Sequence, residues 1–90
     1  MSKKYYMYVI LTVNNKLYCG YTDDVKRRYK LHKEGKGAKF TKANKPFMLV
    51  YTQEFDNKID AMKAEREFKK LSRIQKEKIV QMPVLNLPLC

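Results

Sequence analysis

Glu65 is a charged residue on the apolar face of a predicted helix. Ala61 and Phe68 belong to an apolar stripe at helical spacing, and Glu65 falls on the same stripe, where it would face a sheet. A carboxylate in that position is costly unless a positive charge compensates it. A divalent cation such as Mg²⁺ could do so, and so could Lys69 at i+4. The pattern alone favours the ion pair.

A second group of reactive side chains lies earlier in the chain. Arg28 and His32 are one helical turn apart; an arginine can hold a phosphate through two hydrogen bonds, and a histidine titrates near neutral pH. Tyr8 and Tyr18 lie on two strands of a predicted hairpin, where Gly20 would allow a close approach to the backbone. Each also has a purely structural explanation, as an exposed arginine, a histidine packed on the sheet, or core tyrosines.

These side chains must be positioned by elements in the order ββαβαα, which indicates one compact unit of the α+β class. Aromatic and β-branched runs predict the strands, and apolar residues at helical spacing predict the helices. Between the first helix and the third strand, residues 35–46 predict a basic, mobile loop. The predicted strands are 5–12, 17–22 and 47–55, and the predicted helices are about 23–33, 57–70 and 72–81.

Polar residues at the helix starts supply candidate caps. Thr22 or Asp23 is expected to cap the first helix, and Asn57 or Asp60 the second. The segment 72–75 has the form of a capping box and predicts the start of the third helix.

The charge distribution indicates a polyanionic partner. The chain carries 20 Lys and Arg against 9 Asp and Glu, a formal net charge of +11, and residues 23–45 alone hold nine basic and three acidic side chains. Aromatic rings within that segment could stack on unpaired bases, although charge runs are often only a solvated face. The basic residues predicted to contact nucleic acid are Lys26, Arg27, Lys36, Lys39, Lys42 and Lys45.

Length and composition exclude several classes of protein. Ninety residues fit one domain, expected at 1–82 with an irregular tail at 83–90, and no apolar run approaches the roughly 20 residues that cross a bilayer. Cys19 and Cys90 are too few for a disulfide framework, and the N-terminus lacks a signal-peptide pattern. We therefore expect a cytoplasmic protein.

Four short motifs connect the candidate residues. Tyr8 in YMYVI, Tyr18 in YCG, Arg28 in KRRYKLH and Glu65 in AMKAEREF together resemble the GIY-YIG nuclease family, from residue 6 to about 79. The chain is most similar to the small stand-alone bacterial members, which share its GKGAK-type loop and KKLSR-type helix junction. The resemblance implies a three-stranded antiparallel sheet flanked by helices, the GIY-YIG endonuclease fold.

Some positions depart from the family pattern. Tyr6 replaces the glycine of the first motif, and Met7 and Cys19 replace the central isoleucines, so no reactive group is lost. Many family nucleases also carry an asparagine near the C-terminus, for which Asn86 is a candidate.

The resemblance also implies roles for the site residues. Glu65 would hold one Mg²⁺ or Mn²⁺, and Arg28 would neutralise the charge that develops on the phosphate. Tyr8 would be the general base, Tyr18 would orient water or phosphate, and His32 would assist. A free phenol has a pKa of about 10, so we expect nearby cations to lower the pKa of Tyr8.

A shared site places a condition on the hairpin. A two-residue turn at Asn14 and Asn15 would pair Tyr18 with Leu11, three residues from Tyr8, and the two tyrosines would face opposite sides. A common face requires a loop with an odd number of residues or a β-bulge, and we predict one of these.

The function implied is that of a metal-dependent endonuclease-like domain that hydrolyses DNA, at branched or damaged structures such as those met in DNA repair. Two alternatives remain open: a non-catalytic nucleic-acid-binding module that retains the fold, and an RNA- or ribosome-associated basic protein.

Overall fold

The computed structural model describes residues 3–80, and the predicted tail at 83–90, with Asn86 and Cys90, lies outside them. The described elements follow the predicted order with one helix added. They are β1 (Tyr5–Thr12), β2 (Leu17–Thr22), α1 (Val25–Lys33), α2 (Lys39–Ala43), β3 (Pro46–Phe55), α3 (Lys58–Lys69) and α4 (Arg73–Val80). None of the helices between residues 3 and 80 has the length and apolar content needed to cross a bilayer.

The three strands form one antiparallel sheet in the order β2-β1-β3, with helices on both faces. On one face Met7, Val9 and Cys19 pack against Phe68 of α3 and Val80 of α4. The opposite face is covered by α1 and α2. Because β1 is central, most of its side chains are buried, whereas β2 is an outer strand with a free edge.

The loop between β1 and β2 satisfies the condition on the hairpin. Tyr8 pairs with Gly20 and Ile10 pairs with Tyr18, and beyond the strand bounds the Thr12 amide still donates to the Lys16 carbonyl oxygen at 2.8 Å, which leaves a three-residue connection at 13–15. Its last residue, Asn15, has φ 63°, the left-handed conformation that such loops place before the second strand. The predicted odd-numbered loop is therefore confirmed, and Tyr8 and Tyr18 project from the same face of the sheet.

The predicted caps of α1 were wrong by one or two residues. Asp24 is the cap, and its carboxylate accepts a hydrogen bond from the Arg27 amide at 3.0 Å. Thr22 is the last residue of β2, and the Asp23 carboxylate is paired with Lys3 at 2.6 Å. The helix ends at Lys33 with Glu34 as its C-cap, and Gly35 follows with a φ of +77°, which suits glycine.

The segment predicted as a mobile loop contains the short helix α2. Its buried residue Thr41 bonds to His32 of α1, and this contact fixes a segment whose two glycines and evenly spaced lysines indicated a loop. The expectation of a structureless loop at 35–46 was therefore wrong.

The last two helices follow the sequence closely. Asn57, one of the two candidates, caps α3 by accepting from the Asp60 amide at 2.8 Å. The capping box of α4 is present, because Ser72 accepts from the Gln75 amide at 3.2 Å and Gln75 accepts from the Ser72 amide at 3.0 Å. The buried residues of α3 are Ala61 and Phe68, as the apolar stripe predicts.

Candidate functional site

An open cleft at the free edge of β2 brings together four of the predicted catalytic residues. Tyr8, Tyr18, Arg28 and Glu65 all line this cleft, which has a volume of about 420 Å³. The two tyrosines come from the sheet face under α1, Arg28 comes from α1, and Glu65 comes from α3 on the opposite face. They can meet because β2 is the outer strand, so groups from both faces converge beyond it.

Gly20 explains how the Tyr8 hydroxyl reaches that edge. Tyr8 lies on the central strand opposite Gly20, and a Cβ at Gly20 would lie 2.5 Å from the phenol oxygen and 2.7 Å from Cζ. Any side chain at position 20 would therefore collide with the ring. The glycine is needed because the Tyr8 ring crosses β2 directly above it.

Behind the cleft, Tyr8 is the first member of a chain of hydrogen bonds. The Tyr8 hydroxyl lies 2.7 Å from His32 Nε2, and His32 Nδ1 lies 2.6 Å from Thr41 Oγ1. Thr41 donates its own hydroxyl proton to the Ala38 carbonyl oxygen at 3.3 Å, so it accepts from His32 Nδ1–H. This assigns the Nδ1–H tautomer to His32, with Nε2 accepting from Tyr8 O–H.

His32 is therefore a residue behind the cleft and not part of its lining. It is fully buried, and its ring packs 5.6 Å from Tyr8 and 5.1 Å from Tyr18 between centroids. A Cβ at Gly37 would lie 2.4 Å from His32 Nδ1, so the loop before α2 closes tightly over the imidazole. Thr41 was missed because no pattern around it distinguishes it from a loop threonine.

Burial reverses the expected direction of the Tyr8 pKa. Desolvation raises the pKa of Tyr8, and the opposing effect of the Arg28 charge is smaller, so the net shift is upward. The expectation that cations lower the pKa of Tyr8 was wrong. Burial likewise raises the pKa of Tyr18. Both phenols are protonated at neutral pH.

The pKa of His32 moves the other way, because burial disfavours the imidazolium and the Arg28 charge adds to that effect. We therefore expect the His32 imidazole to titrate below 6.5. Between the folded and unfolded pKa values only the unfolded chain binds the proton, so the free energy of unfolding should fall as the pH drops below about 6.5.

His32 is the only histidine in the chain, so NMR can follow its imidazole without ambiguity. Long-range ¹⁵N–¹H spectra should report the Nδ1–H tautomer at pH 7.5 and a titration midpoint below 6.5. A midpoint at or above that value would contradict the effect of burial and Arg28 on His32, and an Nε2–H tautomer would contradict the assigned hydrogen-bond chain.

Glu65 forms the predicted ion pair with Lys69 and also lines the cleft, where it could hold a cation. Its carboxylate lies 3.4 Å from the Lys69 ammonium, the expected i,i+4 pair, and the side chain is only 20% exposed. It nevertheless lines the cleft beside Arg28, so the ion pair does not remove it from solvent access.

The donor set suits a hydrated hard cation. Among residues 3–80 no group of three His, Cys, Asp or Glu side chains is arranged to hold a metal ion. Mg²⁺ commonly binds through one or two carboxylates and keeps several waters for contact with phosphates. A single, largely buried Glu65 carboxylate at the wall of an open polar cleft fits that mode and does not fit a closed protein cage.

The residues predicted to contact nucleic acid are all exposed, but they do not line the cleft. Lys26 and Arg27 lie on α1, Lys39 and Lys42 on α2, and Lys36 and Lys45 on either side of α2. The cleft contains instead Lys58, at the start of α3, which sequence reasoning missed. Phe40 of α2 stacks on the cleft residue Tyr18, with 5.8 Å between the ring centroids and 25° between the planes.

The architecture and the cleft define a class of protein. Residues 4–78 match the model of the GIY-YIG catalytic domain, and this match covers most of the chain. The protein belongs to the GIY-YIG family, as its motifs predict. Membership indicates nuclease-type chemistry and a nucleic acid as the class of partner.

Within that family the chain is similar to UPF0213 proteins. It is 47% identical over 81 residues to the UPF0213 protein of Limosilactobacillus reuteri, covering 88% of this chain and 84% of that protein. It is 41% identical over 80 residues to UPF0213 protein YazA of Bacillus subtilis, covering 89% and 81%.

Two structures solved by NMR share the fold. The UPF0213 protein BH0048 from Bacillus halodurans is 45% identical, with a TM-score of 0.57 and coverage of 89% of this chain and 85% of that one. The protein EF2693 from E. faecalis is 39% identical, with a TM-score of 0.61 and coverage of 90% and 88%. Each of these matches covers most of the length of both chains.

Proposed function

We propose that the protein is a metal-dependent endonuclease that hydrolyses DNA phosphodiester bonds in the cleft at the β2 edge. The observation that carries the proposal is the convergence of Arg28 and Glu65 with the Tyr8 hydroxyl on one open, polar cleft. A cation, a carboxylate and a proton-transfer group are what phosphodiester hydrolysis needs within reach of one phosphate.

Proton transfer is assigned to the chain of hydrogen bonds behind the cleft. Because Tyr8 is protonated, it can accept a proton from water only if it passes its own proton to His32 Nε2. The hydroxide oxygen then bonds to phosphorus as the bond to the leaving 3′-oxygen breaks, and that oxygen takes a proton from solvent. Thr41 keeps Nδ1–H occupied, so Nε2 remains the acceptor.

Charge stabilisation is assigned to Arg28 and Glu65. The Arg28 guanidinium, half-buried in the cleft wall, would donate to the phosphate oxygens as negative charge builds on them. A divalent cation such as Mg²⁺ or Mn²⁺, held by Glu65, would supply Lewis-acid stabilisation of the phosphate when bound. Tyr18, on the same face as Tyr8, would orient the phosphate or the attacking water.

A cleavage assay with a matched pair of arginine variants tests this function. End-labelled single-stranded, duplex and branched DNA would be incubated with the protein and Mg²⁺ or Mn²⁺. Arg28→Ala should lower the cleavage rate by about a hundredfold or more, as for other groups that stabilise transition-state charge. Arg66→Ala, an exposed arginine of α3 outside the cleft, should leave the rate unchanged.

A second candidate function is a nucleic-acid-binding module without catalysis. Two observations favour it: Lys69 already neutralises Glu65, and burial keeps Tyr8 protonated. Binding of DNA or RNA with no products from any of the substrates would select this module over the endonuclease. Preferential sedimentation with ribosomes would select an RNA-associated role.

A further inference from the structure

We propose that a groove between α1 and β3 binds unpaired nucleotides of the DNA strand that enters the cleft. This inference rests on the proposed function, since it takes DNA as the ligand. The groove, called here the α1–β3 groove, has a volume of about 790 Å³ and lies on the same sheet face as Tyr8 and Tyr18. None of the five predicted catalytic residues lines it.

Aromatic and apolar side chains form part of the α1–β3 groove. Tyr6 contributes from β1, two residues before Tyr8 and therefore on the same face, and Tyr29 contributes from α1. Leu49 of β3 lies beside them, and all three are partly exposed. Nucleobases stack on such rings whatever their sequence, provided that they are not paired within a duplex.

Lysines of α1 supply the charge for a phosphate backbone. Lys26, Lys30 and Lys33 follow one another at i, i+4 and i+7, so they share one side of the helix, and all three line the groove and are exposed. Within residues 3–80 none of the ion pairs involves these three lysines. The Lys33 ammonium lies 5.1 Å from the centroid of the Tyr29 ring, so a phosphate site adjoins a stacking site.

The two carboxylates in the groove do not oppose an anionic ligand strongly. Asp23 is paired with Lys3 at 2.6 Å and lies 3.8 Å from Arg27. Asp24 is the helix cap and accepts from the Arg27 amide. Their charge is largely compensated, and the excess of positive charge lies along the three lysines.

The groove and the cleft adjoin at the junction of β2 and α1. Asp23 lines both of them, so a strand leaving the cleft at Arg28 can pass this residue and continue along α1. The aromatic rings of the groove match unpaired bases, its lysines match a phosphate backbone, and its position beside the cleft matches DNA next to the cleaved bond. A single strand adjoining the scissile phosphate has all three properties. Branched DNA and DNA with frayed ends contain such strands.

The test measures binding without cleavage. The full chain would be titrated into fluorescein-labelled oligothymidylate in EDTA, with fluorescence anisotropy as the readout. Tyr29→Ala should weaken binding by about tenfold or more, whereas Tyr29→Phe should bind like the wild type because stacking needs the ring and not the hydroxyl. Phe47→Ala, an aromatic residue of β3 that is 54% exposed and outside the groove, is the matched control and should bind normally.

The salt dependence checks the lysines separately. The double variant Lys30→Ala/Lys33→Ala should lower the slope of log K against log salt by about 1.4, the value for two phosphate contacts on a single strand. The double variant Lys63→Ala/Lys78→Ala, which removes two exposed helix lysines elsewhere, should change the slope less. Equal changes in both would overturn the groove as the binding surface.

Several outcomes separate this inference from the proposed function. Tyr29-dependent binding by a protein that cleaves no DNA would support the groove and refute the endonuclease. Normal cleavage with unchanged oligothymidylate binding by Tyr29→Ala would refute the groove alone. An equal effect of Tyr29→Ala on a duplex would overturn the preference for unpaired nucleotides, and tighter Tyr29-dependent binding of oligouridylate would overturn the assignment to DNA.

Discussion

Replacing Glu65 with glutamine is expected to lower DNA cleavage by about a thousandfold or more while DNA binding and folding survive. The amide has nearly the same shape as the carboxylate but lacks its charge, so it cannot hold a divalent cation in the cleft. Loss of several kcal/mol of transition-state stabilisation corresponds to a rate decrease of about that size. Cleavage rates at several Mg²⁺ and Mn²⁺ concentrations, with binding measured in parallel, would test this.

The Glu65→Gln result is interpretable because the ion pair itself contributes little. Lys69 is 54% exposed, so solvent screens its pair with Glu65, which is worth about 1 kcal/mol or less. Glu67→Gln provides the matched control, because Glu67 is on the same helix, pairs with Lys70 at 3.5 Å and lies outside the cleft. Unchanged cleavage by Glu65→Gln, or a similar loss in Glu67→Gln, would contradict the role of Glu65 as the metal ligand.

Lys69→Ala separates the two interpretations of Glu65 further. If the carboxylate serves only the ion pair, this variant should behave like Glu65→Gln. If the carboxylate serves a cation, removing the competing ammonium should leave cleavage intact and lower the Mg²⁺ concentration needed for half-maximal rate.

The sequence was sufficient to predict the part of the site that depends on strand register. Side chains alternate across a strand, so requiring Tyr8 and Tyr18 on one face fixed the parity of the loop between them, and the three-residue loop ending in Asn15 has that parity. The position of Glu65 was equally accessible, because helical spacing relative to Ala61 and Phe68 determines which face it occupies.

The predictions that were wrong concern contacts that the local sequence pattern does not show. Nothing local distinguishes Thr41 from a loop threonine, because its role follows from a hydrogen bond to His32 nine residues earlier. The predicted direction of the Tyr8 pKa shift was wrong for a related reason. Charge can be counted along a sequence, but desolvation depends on how completely α1 and α2 cover the ring, and here burial outweighs the charge of Arg28.

The second large effect is expected from Gly20→Ala, a substitution that removes no reactive group. The new Cβ would lie 2.5 Å from the Tyr8 phenol oxygen, closer than any ordinary contact, and the rigid ring is buried at 2% exposure. The ring must move, so the hydrogen bond to His32 is lost along with the position of the hydroxyl in the cleft. We expect a decrease in cleavage of about 10²- to 10⁴-fold, the usual contribution of a positioned acid or base.

Gly35→Ala separates this effect from a general loss of stability. Gly35 has φ +77°, where alanine is strained by about 1–2 kcal/mol, but the nearest atom to its Cβ is Lys42 Cγ at 3.8 Å. This variant should unfold at lower denaturant concentration and yet cleave DNA at the wild-type rate when folded. A Gly35→Ala protein as inactive as Gly20→Ala would show that activity follows stability and not the position of Tyr8.

Combining Gly20→Ala with Tyr8→Phe tests whether the glycine acts through the hydroxyl. Both changes remove the same group from the cleft, so their effects on the cleavage rate should not add, and the double variant should be about as active as Tyr8→Phe alone. If the two losses multiply instead, Gly20 has a separate function, such as the approach of a phosphate to the β2 backbone. The free energies of unfolding of the same variants provide a second comparison. Tyr8→Phe should reduce the destabilisation caused by Gly20→Ala only in part, because the ring atom Cζ would still lie 2.7 Å from the new Cβ.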